Sequence, residues 1–406
     1  MRFGFLALAA AFALLGAAPA VSPPPAPVRV PLLVESDHLY VTVTIGGTPL
    51  HFVVDSGGGE LLDDAVARRL NLAEQGRLTI TGVGNGKVRA WRTTVDQVGI
   101  GDATLRNVHF VVLPIDTTFG IAEGVHIDGM IGPALLDHFI VTFDPAGGTL
   151  TLAPPGSGEP GDVPLTLDRA DHPSVPCTVA QIATRCMLDT GSRLAISLPR
   201  PFLEAHPEIM TRALTAEGVD GYGIGGAARG QLGRVTVALG GRTQLVVGDF
   251  TAQRAGAFAI ENYGGNVGQR MLRRFVLTLD YGRKRAHFAP SALADAVDRV
   301  DRSGLFLIRS EDRTMAIDAR PGTPAAAAGV RDGDELIAID GTPAASLALD
   351  DIRARLSAAA GTRIALQLRN EGVDRTVNFA LADYVPSATL ATALTAAGSR
   401  GNAGSM

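Results

Sequence analysis

Cysteine is nearly absent from the chain, with Cys177 and Cys186 the only two among 406 residues. Neither lies near a histidine at ligand spacing, and the eight histidines form no HExxH or HxxxH pair, so a zinc hydrolase centre has no signature here. A G-x-S-x-G elbow is also missing, which removes the usual mark of a serine hydrolase. The chain has no basic excess: 36 Lys and Arg stand against 41 Asp and Glu, for a net charge of -5, and no Lys/Arg run forms a stripe. That balance argues against a nucleic-acid partner. Long apolar runs are wanting beyond the first twenty residues.

Those twenty, "MRFGFLALAAAFALLGAAPA", set Arg2 before an apolar stretch and end in Ala18-Pro19-Ala20, a small-x-small cleavage pattern. The run is short of the roughly 20 residues a membrane span needs, and no cysteine follows it for lipid attachment. Residues 1–20 are therefore expected to be a signal peptide, and the mature protein to be exported, periplasmic or secreted, with no stable span after processing. A proline-rich lead, residues 21–30, follows. Export permits a disulfide. If the hairpin "CTVAQIATRC" turns at Ala180-Gln181, Cys186 lies one diagonal step from Cys177, roughly 7 Å between Cβ atoms. A bridge needs roughly 4 Å, which a turn shifted by one residue would supply, so the pairing stays open at this level.

With nearly half its residues apolar and only 19% charged, the chain is folded and long enough for two or three domains. Short apolar runs separated by turns, such as "LYVTVTIGGTPLHFVVD", "VHFVVLP" and "FIVTFDP", make its first three quarters mostly β. The main helical candidate there is "LLDDAVARRLN". "DGMIGPALLDHFIVTFD", ending at Asp144, aligns without a gap on "GNVGQRMLRRFVLTLD", ending at Asp280. Ile131-Gly132 falls on Val267-Gly268, Leu135-Leu136 on Met271-Leu272 and Phe139 on Phe275, all at an offset of 136.

Two further segments share nearly that spacing. "FVVDSGGGE" ends an apolar run in Asp55, Ser56 and Gly57, and "CMLDTGSRL" ends another in Asp189, Thr190 and Gly191, with the acids 134 apart. One such turn is ordinary Asp-Ser-Gly chemistry; two, each followed by an apolar-Gly element, point to a duplicated unit. At these residues the chain resembles the aspartic proteases of the pepsin and retropepsin superfamily. The resemblance implies that Asp55 and Asp189 form a catalytic dyad, that Ser56 and Thr190 interlock behind it, and that Gly57 and Gly191 let backbone amides approach the acids. Two carboxyls about 3 Å apart cannot both ionise and must share a proton, and loops related by a twofold can supply that closeness. The fourth position differs between copies: Ser192 could bond its carboxylate, whereas Gly58 cannot, so Asp55 is expected to be the less stabilised anion. "TGVGNG" (81–86) and "GYGIGGAARG" (221–230) sit where the family carries flaps, with Tyr222 in the second. The G-x-G-x-x-G from Gly221 to Gly226 precedes a strand rather than a helix, which excludes a dinucleotide loop.

From Ser303 the texture changes. "PGTPAAAAGVRDGDELIAIDG" (321–341) is similar to a PDZ domain, in which a loop offers backbone amides to a peptide C-terminus. "SGLFL", with Gly304, Leu305, Phe306 and Leu307, would be the peptide-binding loop and groove strand. The expected fold class is mainly β: a two-lobed acid-protease (retropepsin-like) β-barrel repeat plus a small α+β PDZ domain. Its parts are a first lobe at 31–155, a second at 163–290, the PDZ-like domain at 303–383 and a tail at 384–406. The resemblance implies a monomeric endopeptidase acting on polypeptide substrates without metal or cofactor. Two rivals remain, a peptide-binding scaffold without activity and lobes that pair between molecules in an obligate dimer.

Overall fold

The computed structural model describes residues 20–22, 26–84, 86–211, 214–250, 263–311 and 313–386. Residues 1–19 of the expected signal peptide and 387–406 of the expected tail lie outside the described residues.

Each lobe closes a ring of strands. In the first, His38–Ile45, Thr48–Val54, Gly129–Ile131, Leu61–Asp63, Ala103–Leu113 and Lys87–Ile100 pair in that order, and the last returns to the first. In the second, Pro173–Val179, Ile182–Leu188, Gly265–Val267, Ile196–Ser197, Arg242–Asp249 and Leu232–Leu239 do the same. The parallel steps fall at equivalent places in both rings. Closure leaves few free strand edges. The barrels are thus copies in topology as well as in sequence.

A further sheet joins them. Its central strands, Ile140–Asp144 and Phe275–Asp280, run antiparallel with Thr142 opposite Thr278, and the two hydroxyls lie 2.9 Å apart. These threonines are related by the same 136-residue offset as the aligned segments, so the pair sits on the pseudo-twofold axis. Val28–Pro31, from the proline-rich lead, forms one edge of this sheet, the position where proline's missing N–H does least harm. One apolar core runs through both barrels, from Phe52 and Phe110 through Phe139, Phe143 and Phe275 to Val235 and Phe250.

The last domain has its own core. Strands Leu305–Ser310, Arg313–Ala319, Glu335–Ile339, Arg363–Asn370 and Val373–Ala380 form its sheet. Helix Leu349–Leu356 buries Leu349, Ile352 and Leu356 against that core, a spacing that puts the three on one helical face. Among the described residues no helix is long and apolar enough to cross a membrane.

The cysteine hairpin turns at Ala180 and Gln181, both at positive φ, with Cys177 opposite Thr184 and Cys186 opposite Val175. This is the diagonal arrangement that flat-sheet distances disfavour, yet Cys177 and Cys186 are bridged, with Cα atoms 5.8 Å apart. The strong right-handed twist of a tight hairpin brings one diagonal closer than a flat sheet would. Replacing both cysteines by alanine should lower stability by about 2–3 kcal/mol for a loop of this size. Urea unfolding of the double variant beside the oxidised protein checks it, and equal midpoints would show that the bridge contributes nothing.

Candidate active site

Asp55 and Asp189 each emerge from the end of a barrel strand, and each is fixed by its own backbone. Asp55 N–H donates to the Ile131 carbonyl (2.8 Å) and Asp189 N–H to the Val267 carbonyl (2.9 Å), residues again 136 apart. The apolar-Gly elements therefore pack directly behind the two acidic turns. Beyond them Gly132 and Gly268 start the short helices Pro133–Leu136 and Gln269–Leu272.

The turns are interlocked by their hydroxyl residues. Ser56 N–H donates to Thr190 Oγ1 (2.9 Å) while Thr190 N–H donates to Ser56 Oγ (3.0 Å). The Ser56 hydroxyl then donates to the Leu188 carbonyl and the Thr190 hydroxyl to the Val54 carbonyl, both at 2.7 Å. Both side chains are fully buried. Each lobe thus satisfies the other's backbone.

The interlock brings the carboxyls together. A Cβ on Gly191 would stand 2.1 Å from Asp55 Cγ, and one on Gly57 would stand 2.6 Å from Asp189 Cγ, so each glycine is required by the acid of the opposite lobe. Gly57 N–H donates to Asp55 Oδ1 (2.9 Å) and Gly191 N–H to Asp189 Oδ1 (3.0 Å). Asp55 is pushed well above the usual carboxylate range by burial and then by the neighbouring Asp189 charge. Both acids keep part of their surface accessible. A pair that shares a proton in a partly open, protein-lined site has the means for general acid–base chemistry.

Sequence reasoning missed three neighbours. Asn266, the polar residue in "NVG", donates from Nδ2 to Asp189 Oδ2 at 2.6 Å. Ser192, expected to bond that carboxylate, makes no such bond among the described residues. His172 joins Asp168 (3.0 Å) to the Gly58 carbonyl (3.2 Å). Burial alone would lower the His172 pKa, but the Asp168 bond and charge outweigh it and raise it. Glu60, at the end of the first turn, is buried with Oε1 accepting the Leu135 N–H (3.1 Å), and burial pushes it up to about 7. Only an alignment of tertiary neighbours would have singled out these residues.

The two glycine-rich stretches meet at their tips. Gly86 N–H donates to the Gly225 carbonyl and Gly225 N–H to the Val83 carbonyl, both at 2.8 Å. A Cβ on Gly84 would lie 2.5 Å from the Gly225 carbonyl carbon, so only glycine permits the contact. Tyr222 lies in the hairpin strand Gly218–Gly223 that leads to the second tip.

Residues 41–134 match the family model for aspartyl protease. The first lobe is thus similar to an aspartyl protease domain. Residues 317–370 match a PDZ domain, and no curated protein matches the chain. The second lobe lies outside the matched residues and is joined to the first by topology, the 136-residue offset and the interlocked turns. Among the described residues no group of three or more His, Cys, Asp or Glu could hold a metal ion.

The PDZ domain packs against both lobes. The amides expected to receive a peptide carboxylate are engaged within the chain: Gly304 N–H donates to Asp301 Oδ2 (2.6 Å) and Leu305 N–H to Ser303 Oγ (3.1 Å). Phe306 lies under the Arg193 guanidinium, 5.2 Å from the ring centre, and Leu307 is in the PDZ core. The short helix Ile121–Glu123 of the first lobe packs on strand Leu305–Ser310. Its next residue, Gly124, is so close to Leu349 that a Cβ there would stand 2.6 Å from Leu349 Cβ. Segment 121–124 therefore touches both the strand expected to bind peptide and the start of helix Leu349–Leu356. Glu123 is buried with Arg193 (3.3 Å) and His38 (3.2 Å); burial would raise its pKa, but Arg193 and His38 overcome that and hold it at about 2.

The second glycine-rich hairpin is held from the same domain. Asp318 accepts the Val219 N–H and an Arg229 guanidinium N–H, both at 2.8 Å. Arg320, almost fully buried, donates to the carbonyls of Ala216 (2.7 Å), Gly230 (2.8 Å) and Val219 (3.2 Å).

Thr190→Val keeps the shape but removes one acceptor and one donor. It leaves buried backbone groups unpaired at about 1–3 kcal/mol each, so urea unfolding should show a loss in that range or above. A midpoint unchanged from wild type would mean the interlock carries no stability. Glu60 gives a pH test. Its carboxyl stays protonated in the fold up to about 7, while the unfolded chain ionises near the ordinary value of about 4.3. The folded state therefore loses stability as pH rises between those values. Glu60→Gln should remove that slope, gaining about 3 kcal/mol on wild type between pH 4 and 8 in unfolding measured at both. Parallel curves would show that Glu60 ionises normally.

Proposed function

We propose that the protein is an exported aspartic endopeptidase that hydrolyses peptide bonds with a water held between Asp55 and Asp189. The observation that carries this reading is the contact of the two carboxyls, enforced from behind by the Ser56–Thr190 exchange. In the proposed cycle the ionised acid takes a proton from the water as its oxygen attacks the peptide carbonyl carbon. The protonated acid donates to the carbonyl oxygen. The tetrahedral intermediate then collapses as a proton reaches the leaving nitrogen, and the dyad returns to its shared-proton state. The raised pKa of Asp55 supports it as the acid that holds the proton.

The paired tips at Val83–Gly84 and Gly225 support a role as flaps that close on an extended polypeptide. Both acids come from one chain, which supports a monomer as the working unit. The Arg2-led apolar segment and Ala18-Pro19-Ala20 support export. Recognition of peptide C-termini by Gly304, Leu305, Phe306 and Leu307 is proposed to require release of segment 121–124 and of Asp301 from that strand.

The test is cleavage of an unfolded protein mixture by the mature chain across pH 3 to 8, beside Asp55→Asn and Asp189→Asn. Each variant should fold and lose about 10²–10⁴-fold in rate. Wild-type activity should persist above the ordinary carboxylate range and fall as pH rises through the raised Asp55 value, because the acid must be protonated. Full activity in either variant would remove that residue from the mechanism. A wild-type chain that binds peptides and cuts none at any pH would favour a peptide clamp.

A further inference from the structure

The two barrels differ at one place against the dyad. Met130 pairs with Val53, two residues before Asp55, and Asn266 pairs with Met187, two residues before Asp189. The positions are equivalent by register and by the 136-residue offset. In the first lobe the side chain is apolar; in the second it is an amide whose Nδ2 lies 2.6 Å from Asp189 Oδ2. The nitrogen must face the carboxylate, since two acceptor oxygens would repel at that distance. Asn266 Oδ1 is left buried with no hydrogen-bond partner. An orphaned buried carbonyl is unfavourable, and a second methionine would avoid it, so folding alone does not account for asparagine here.

The donors around the pair are unequal as a result. Asp189 receives the Gly191 N–H on Oδ1 and the Asn266 amide on Oδ2, whereas Asp55 receives the Gly57 N–H on Oδ1. Donors that cannot accept stabilise a carboxylate over a carboxylic acid. We propose that Asn266 is a positioning residue that fixes Asp189 as the anion taking the water's proton and so leaves the shared proton on Asp55. The raised pKa of Asp55 agrees with that division. The other titratable groups acting on the pair are His172, which bonds the Gly58 carbonyl, and buried Tyr281. Both lie near Asp55; the His172 charge favours the Asp55 anion and so opposes the division, but burial and the Asp189 charge outweigh it.

The inference rests on the endopeptidase reading, so two readouts are needed. In the first, kcat and KM are followed from pH 3 to 8 for wild type and for Asn266→Met, which copies the first lobe. The acid limb of the kcat/KM profile should move up by about 1 pH unit, with kcat reduced and KM little changed. The second needs no turnover: the carbon-13 carboxyl titration of Asp189 should move up by a similar amount in the variant. An unmoved Asp189 titration would overturn the role of Asn266 whether or not the protein cuts. A moved titration in a protein that cuts nothing would retain the electrostatic role and remove the endopeptidase reading. Asn266→Ala, which deletes the amide without adding bulk, gives the same comparison if the methionine variant does not fold.

Discussion

Everything at the centre of this molecule depends on the exchange of hydrogen bonds between Ser56 and Thr190. Two carboxyls repel as anions, and bringing both out of bulk water is costly. The exchange opposes that tendency with four buried hydrogen bonds, each of which crosses from one lobe to the other. Because each hydroxyl both accepts an amide and donates to a carbonyl, neither turn can satisfy its backbone alone. The lobes are therefore not two domains that happen to touch. The Thr142–Thr278 contact on the joining sheet and the paired glycine tips extend the same relation along the pseudo-twofold.

The PDZ domain adds a constraint of a different kind. It grips the two lobes through charge and backbone, with Arg320 threaded into carbonyls around the second glycine-rich hairpin and Asp318 on its strand. Arg193, one residue beyond Ser192 of the second acidic turn, stacks on Phe306 and reaches Glu123 of the first lobe. The residues that line a peptide groove elsewhere in this fold are here part of an internal junction. A loop near the dyad and the strand carrying Phe306 consequently share one buried charge cluster, and the second glycine-rich hairpin is held by another.

Much of this was legible in the sequence because duplication leaves a measurable trace. The offset linking Ile131-Gly132 to Val267-Gly268 marks the two repeated units, and the two acidic turns mark the paired carboxyls. The glycine-rich stretches could be placed as a pair by the same logic. The remainder was hidden for physical reasons. Flat-sheet distances cannot reproduce the twist that brings Cys177 to Cys186. Asn266 is a lone polar residue in an apolar stretch, and its role lies in the direction of one side chain. The hydrogen bonds of Glu123, Arg193 and Arg320 at the domain junctions span 70 to 105 residues, and contacts at such separations leave no periodicity to read.

The two halves are no longer bound to match. In an assembly of identical subunits a single gene writes both sides of the axis, so any residue placed beside one acid appears beside the other. Fusion of the halves into one chain removes that obligation. Methionine at 130 and asparagine at 266 are a difference that only a fused pair can inherit, and the same freedom lets one flap alone carry the anchor to the last domain.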